Sequence, residues 1–283
     1  MFVTFNDNTN LFPMEIAKDL RLAVLIDADN VPYANIKGML EEMAKYGTPT
    51  FKRIYADWTK PTVSGWKSVL LEYAITPIHQ YSYTTGKNAT DSSMIIDAMD
   101  ILYSGKVDGF CIVSSDSDFT RLAIRLREAG MKVFGFGEKK TPTAFISACD
   151  KFIYIEILSL ASQAAAKPER KSRRVKRPGS TPPLPEPETE AEIQTETKDK
   201  KLGNVTREVI KMISDSVDDL ADESGWTYLG DLGNLLIKKQ PDFDPRNYGF
   251  QKLVLLIKNL KIFEIEKRET GKGNVRHVYV KLK

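Results

Sequence analysis

Two hydrophobic periods alternate through the first 160 residues. RLAVLID is an unbroken apolar run closed by an acid, and the stretch near 33–46 spaces its apolar positions at helical intervals. FKRIYADW alternates at period two, a helix is expected near 64–74, and ITPIHQYSY reads as a strand. A helix over about 91–104, the strand GFCIVSS, a helix near 118–129 and the strands MKVFGFG and KFIYIEI complete the series. Repeated strand–helix–strand units predict a largely parallel α/β sheet with helices on both faces. In such sheets ligands sit beyond the carboxyl ends of the strands.

The pattern stops at about residue 160. Residues 161–203 hold no aromatic side chain and are rich in proline and alternating charge, so they cannot build a core and read as a disordered linker. A basic block, Lys167, Arg170, Lys171, Arg173, Arg174, Lys176 and Arg177, lies inside it. It is either a solvated tether or a non-specific phosphate-binding arm. From 204 to 283 three helices are expected: one to about Leu220, one through YLGDLGNLLIKKQ, and one started by Asp244 as N-cap with Pro245 after it. The third carries an apolar face of Phe250, Leu253, Val254, Ile257 and Leu260. A hairpin, IFEIEKRET to VRHVYVKLK around GKGN, completes a winged helix. The expected domains are thus 1–160, 161–203 and 204–283.

Composition narrows the class. Hydrophobic residues make up 42% of the 283, enough for two cores. Two cysteines and two histidines, far apart, argue against a zinc site and for buried thiols in a reducing compartment. No apolar run approaches the roughly 20 residues that span a bilayer. The N-terminal stretch has no basic region leading into an apolar one, so a cytoplasmic location is expected. Basic residues number 17 against 19 acidic over 1–160, 10 against 7 over 161–203, and 14 against 12 over 204–283. Several acids of the first segment belong to one cluster, so its remaining surface is neutral to basic.

Strand one ends in Asp27-Ala28-Asp29-Asn30, and GFCIVSS runs into Asp116-Ser117-Asp118. One aspartate at such a place reads as a helix cap, and Asp118 could cap the helix after it; two sites at one edge ask for a cation. Stepping 100° per residue puts Asp91 on the same face as Met94, Ile95, Ala98 and Leu102, pointing inward at the helix start. Asp100 faces solvent, and Asp97 lies on the flank as an indirect ligand or a support behind the site. Asp27, Asp91, Asp116 and Asp118 form a hard-oxygen set without histidine, suited to Mg²⁺ or Mn²⁺ and to phosphodiester hydrolysis. Asn30 could orient a carboxylate or the water. Lys87 could hold the scissile phosphate, and Ser114, Ser115 and Ser117 could donate to carboxylate or phosphate.

IDADN, then KNATD leading into a helix with a second aspartate, then SSDSDF, resembles the NYN domain in its bacterial LabA-like branch. The resemblance covers about residues 20–158. It implies a PIN-like three-layer fold and a metal-dependent endoribonuclease whose acidic positions fall on Asp27, Asp91, Asp116 and Asp118, supported by Asn30 and Asp97. Where that family commonly has glycine before the first aspartate of the last motif, this chain has Ser115. NYGFQKLVLLIKNLKIFEI resembles the OST-HTH/LOTUS domain, which implies RNA binding and also allows a protein partner. Arg246, Tyr248, Lys252 and Lys258 are the candidates for its nucleic-acid face, with Lys272 and Arg276 on the wing. Single-stranded or structured RNA suits such a module, because the A-form major groove excludes helices.

Two rivals remain. Asp27-Ala28-Asp29 also fits the DxD nucleophile of a haloacid-dehalogenase-type phosphohydrolase, which would need Asp29 as acid/base and leaves Asp91 without a role. A non-catalytic RNA- or protein-binding scaffold is the other. Homodimerisation is left open by the sequence.

Overall fold

The apolar runs of the first segment become six parallel strands in the computed structural model, which describes residues 19–81, 89–158, 205–269 and 276–283. In chain order they are β1 (Arg21–Asp27), β2 (Thr48–Ala56), β3 (Thr76–His79), β4 (Gly109–Val113), β5 (Lys132–Gly137) and β6 (Lys151–Tyr154). Their order across the sheet is β3-β2-β1-β4-β5-β6, so the winding reverses between β1 and β4. The helices between them are α1 (Ile36–Met43), α2 (Lys67–Glu72), α3 (Ala89–Tyr103), α4 (Thr120–Glu128) and α5 (Thr143–Ala148).

Strand alternation divides the core in two. Leu22, Val24 and Ile26 of β1 pack with Ile36, Met39 and Trp66 on the α1–α2 face. Ala23 and Leu25 point the other way, into Met94, Ala98, Leu122 and Phe145 on the α3–α4–α5 face. Both faces of β1 are buried, which is why it reads as a continuous apolar run rather than an alternating one. Each such aliphatic side chain contributes about 1.5–3 kcal/mol by leaving water.

Two expectations need correction. The last strand stops at Tyr154 and the chain turns helical over 155–158, where Ile155, Ile157 and Leu158 fill the α1–α2 core. The short helix α5 was not expected; six residues are too few to show a period, although Pro142 marks its start.

The second unit holds α6 (Arg207–Leu220), the two-residue strand β7 (Thr227–Tyr228), α7 (Leu229–Lys239), α8 (Leu253–Leu260), β8 (Phe263–Glu269) and β9 (Arg276–Leu282). Its antiparallel sheet runs β7-β9-β8, one strand more than the expected hairpin. Ile213, Leu232, Leu236, Ile257 and Val280 form its core. The expected third helix is broken. Asp244 accepts from the Arg246 amide and opens a single 3-10 turn, Pro245–Tyr248, which Gly249 ends at φ 83°. Lys252 is extended, and α8 begins only at Leu253.

The units meet along the outer edge of β6. The Phe152 amide donates to the Pro241 carbonyl (2.8 Å), and the Tyr154 hydroxyl donates to Asp242 (2.7 Å). Covering an edge strand in this way removes a template for aggregation. Lys151 lies over the Tyr46 ring, 4.9 Å from its centroid. The linker basic block, Lys87 and Lys272 fall outside the described residues. No helix among the described residues is long and apolar enough to cross a membrane.

Candidate active site

The switch between β1 and β4 opens a crevice at their carboxyl ends, the place where doubly wound sheets hold ligands. Asp27 ends β1 and continues the parity of Ala23 and Leu25, so it faces the side on which α3 packs. Asp116 and Asp118 leave β4, and Asp91 stands in the first turn of α3. On that helix the buried positions are Thr90, Met94, Ala98 and Ile101, which brings the half-buried Asp91 over the sheet edge.

Asp91, Asp116 and Asp118 each present a carboxylate oxygen within 4.8 Å of the others. Asp27 lies beside this triad but is spoken for: at 1% exposure it accepts from Asn30 Nδ2 (2.6 Å), Ser114 Oγ (3.0 Å) and the Asp29 amide (3.1 Å). Burial pushes its pKa up, and those three donors pull it partly back. The Asp91 carboxyl is raised from 3.8 to about 6, first by burial, then by the charges of Asp27, Asp116, Asp118 and Asp29. Negative charge is thus concentrated at this edge of the sheet, the condition in which carboxylates hold a metal or share a proton.

The serines act inside the protein. Ser114, fully buried, donates to Asp27 and accepts from the Asp116 amide (3.1 Å), tying the first strand's acid to the second motif. Ser115 accepts from the Glu138 amide (2.8 Å), which locks β4 to the end of β5. Of the two partners the sequence allows, carboxylate or phosphate, Ser114 takes a carboxylate, while the Ser115 hydroxyl serves a backbone amide. Gly137 permits this closeness, since a Cβ there would lie 2.6 Å from the Ser114 carbonyl oxygen. Asp116 accepts from the Asp118 amide (2.9 Å), so the N-cap of the turn is Asp116, not Asp118.

Asp97 is elsewhere. Arg53 and the Tyr55 hydroxyl donate to its two oxygens on the flank of α3, and it is not part of the triad. Asp29 and Asp100 are exposed. In the second unit Arg246 is drawn away from any nucleic-acid face by Glu42 and Asp244. Tyr248 packs on Phe243, with ring centroids 5.9 Å apart. Lys252 and Lys258 are exposed, and Arg276, also exposed, pairs with Glu269 at 3.1 Å. Glu42 had no signal in the sequence: an acid in the last turn of a helix looks solvated, yet it is 4% exposed.

A six-stranded parallel sheet with an acidic cluster at its switch point defines a PIN-like α/β domain. The chain carries an NYN domain over residues 21–156, followed by an OST-HTH/LOTUS domain over 195–275. No curated protein matches it. Among solved structures, a protein of unknown function from Vibrio parahaemolyticus is 21% identical, covering 50% of this chain and 96% of its own, with a TM-score of 0.42. An uncharacterised protein from Nitrosomonas europaea is 29% identical over 39% of this chain and 91% of its own, TM-score 0.24. A Chromobacterium violaceum protein fragment is 30% identical over 25% of this chain and 76% of its own, TM-score 0.22.

Proposed function

We propose that the protein is a metal-dependent endoribonuclease whose winged-helix module delivers RNA to the acidic crevice. The observation that carries this reading is the triad Asp91, Asp116 and Asp118 at the β1–β4 switch point of an NYN domain. Three hard carboxylates that repel one another fit a Mg²⁺ or Mn²⁺ ion, which prefers oxygen ligands and keeps part of its water shell. When bound, the ion supplies a Lewis acid and an activated water for phosphodiester hydrolysis.

The chain's own residues do the remaining work. Asp116 and Asp118 are spaced by a hydrogen bond from the Asp118 amide to the Asp116 carboxylate, so the two ligands come as one turn. Asp27 is buried, held in place by Asn30 and Ser114, and adds to burial, the larger cause, in raising Asp91. Asp97, paired with Arg53 and Tyr55, anchors α3 to β2 and thereby holds Asp91 over the sheet. Lys87, just before α3, is positioned in sequence to meet a phosphate. The buried, hydrogen-bonded Asp27 is poorly placed to attack phosphorus, which disfavours the phosphohydrolase reading.

The RNA partner follows from the pairing of NYN and OST-HTH/LOTUS domains, and Lys252, Lys258 and Arg276 remain on its exposed surface. Buried, unpaired Cys111 and Cys149 suit a reducing cytoplasm. The test is end-labelled single-stranded RNA incubated with Mn²⁺, Mg²⁺ or EDTA, beside an Asp116→Asn variant. Internal fragments that need metal and Asp116 are expected. RNA bound but never cut would favour the scaffold.

A further inference from the structure

The small sheet of the winged-helix module has one face on its core and one face left over. Val280 and Leu282 of β9 point into the core, as do Phe263 and Ile265 of β8, and Val278 shares their parity. By strand alternation His277, Tyr279 and Lys281 point outward, beside Glu266 and Arg268 of β8 and Tyr228 of β7. The helices α6, α7 and α8 all pack on the inner side.

The outward residues form a continuous ladder. Tyr228 stacks on His277, with centroids 4.9 Å apart and planes at 27°. Tyr228 also meets Tyr279 at 5.8 Å. Arg268 then lies over Tyr279 at 4.5 Å and over Trp226 at 5.1 Å. Among the described residues nothing further stacks on His277 or Trp226, the two ends. Gly230 keeps the ladder open, because a Cβ there would come 2.6 Å from the Tyr228 ring. All five members are half-buried.

Cross-strand stacking stabilises a small sheet by about 0.2–1 kcal/mol per pair, and a purely structural role would end there. The charge distribution asks for more. The outward residues of the central strand β9 are His277, Tyr279 and Lys281, with no acid between them. Acids border this face: Glu264 of β8 lies opposite Lys281, whose Nζ donates to the Ser224 carbonyl (2.9 Å), Asp222 lies near Arg268, and Glu266 bonds Arg268 at 3.0 Å and so aims its guanidinium along the rings. Rings for base faces beside cations for phosphates, on an open sheet, is the arrangement with which sheet-based modules hold single-stranded RNA.

The geometry points to this face, Trp226–Arg268–Tyr279–Tyr228–His277, as a stacking platform for the bases of single-stranded RNA. It rests on the RNA reading given above and deepens it. It also differs from the helix surface of Lys252 and Lys258, which offers charge without rings. Bases extend the ladder at its two ends, while Lys281 meets the backbone.

The experiment uses the full chain in an Asp116→Asn background, titrated against fluorescent single-stranded RNA about 12 nucleotides long, the scale of such sites. An abasic ribose-phosphate strand of the same length is the competitor. Tyr279→Leu keeps the bulk and removes the ring, and His277→Ala alters only the ladder's end. Each is expected to lose about 5- to 100-fold in RNA affinity. The slope of affinity against salt should stay unchanged, and so should binding of the abasic strand, because no phosphate contact is lost. Lys281→Ala should lower the slope by about one. Wild-type RNA affinity in both ring variants would overturn the platform, even if RNA is cut in the parallel cleavage assay. Loss of binding in the variants without any cleavage by the wild type would keep the platform and sink the nuclease. A wild type that binds no RNA would overturn both.

Discussion

Arg246 lies bidentate on Glu42, with Nη1 and Nη2 2.9 and 2.8 Å from its two oxygens, and so joins the winged-helix module to the nuclease-like domain. The same guanidinium takes Asp244 at 2.6 Å, while Lys45 and the Tyr46 hydroxyl complete the shell of Glu42. Glu42 is 4% and Asp244 7% exposed, so the network is a buried one with its charges satisfied. A planar guanidinium holding two carboxylates fixes orientation as well as distance, which a lysine would not.

Removing the Arg246 side chain takes the shared guanidinium from two buried carboxylates, although Lys45 and Tyr46 still reach Glu42. Arg246→Ala should cost about 3–5 kcal/mol, the scale for one lost partner of a buried pair. The loss should appear as separate melting of the two domains and a larger radius of gyration in solution scattering. RNA affinity and its salt slope should be unchanged. A variant that keeps wild-type stability and loses one unit of salt slope would return Arg246 to the nucleic-acid face.

The clamp also sets an acid limit. Burial alone would raise the Glu42 carboxyl, but Arg246, Lys45 and Tyr46 outweigh it and bring the pKa from 4.5 down to about 2. A group depressed in the native state adds stability that is complete above its unfolded value and vanishes as pH falls through the folded one. Wild type should therefore exceed Glu42→Gln in Tm at neutral pH. The gap should close between about pH 4.5 and 2. A constant gap across that window would show that Glu42 acts through packing alone.

The acidic crevice has the opposite sign. Asp91 is raised from 3.8 to about 6, so the native state binds the extra proton. Metal-free protein should be most stable below pH 3.8 as far as this group is concerned, and lose that increment as pH climbs through about 6. Asp91→Asn relieves the repulsion and should raise the Tm of metal-free protein at pH 7. It should also remove the stabilisation that Mn²⁺ gives the wild type, since a ligand stabilises only the state that binds it. An equal Mn²⁺ shift in both proteins would exclude Asp91 from the ion's shell.

What the sequence displays and what it conceals follow from range. β1 and β4 are legible because both faces of each are buried, and because β1 closes on Asp27 while β4 runs on to Asp116 and Asp118, a local conflict between apolar run and charge. Asp91 is legible because a helix repeats its face every few residues. Arg246 is not, because its partner Glu42 lies 204 positions away and nothing near either residue encodes the other. Beside Pro245 and Tyr248, an arginine reads as an RNA contact. Asp97 is legible only in part for the same reason: helical spacing places it on the flank of α3 as a support, but the neighbours that claim it, Arg53 and Tyr55, come from β2 and have no signal near it. The break at Gly249 is hidden too, since Phe250, Leu253, Val254 and Ile257 keep a helical spacing straight after it while the glycine takes φ 83°.

Ser114 gives the sharpest test of the site's construction, because it touches the acids and has no access to solvent. Its hydroxyl donates to Asp27 and accepts from the Asp116 amide, so one side chain registers both acid motifs. Ser114→Ala removes one oxygen and leaves an unmet amide and a less satisfied carboxylate, a local cost of about 1–3 kcal/mol that the fold can absorb. Supports of this kind typically alter metal affinity or activity by about 10–100-fold. The variant should therefore fold, bind RNA as before, and need about 10–100-fold more Mn²⁺ for half-maximal cleavage. Cleavage with an unchanged Mn²⁺ requirement would mean that Asp116 finds its place without the tie to Asp27.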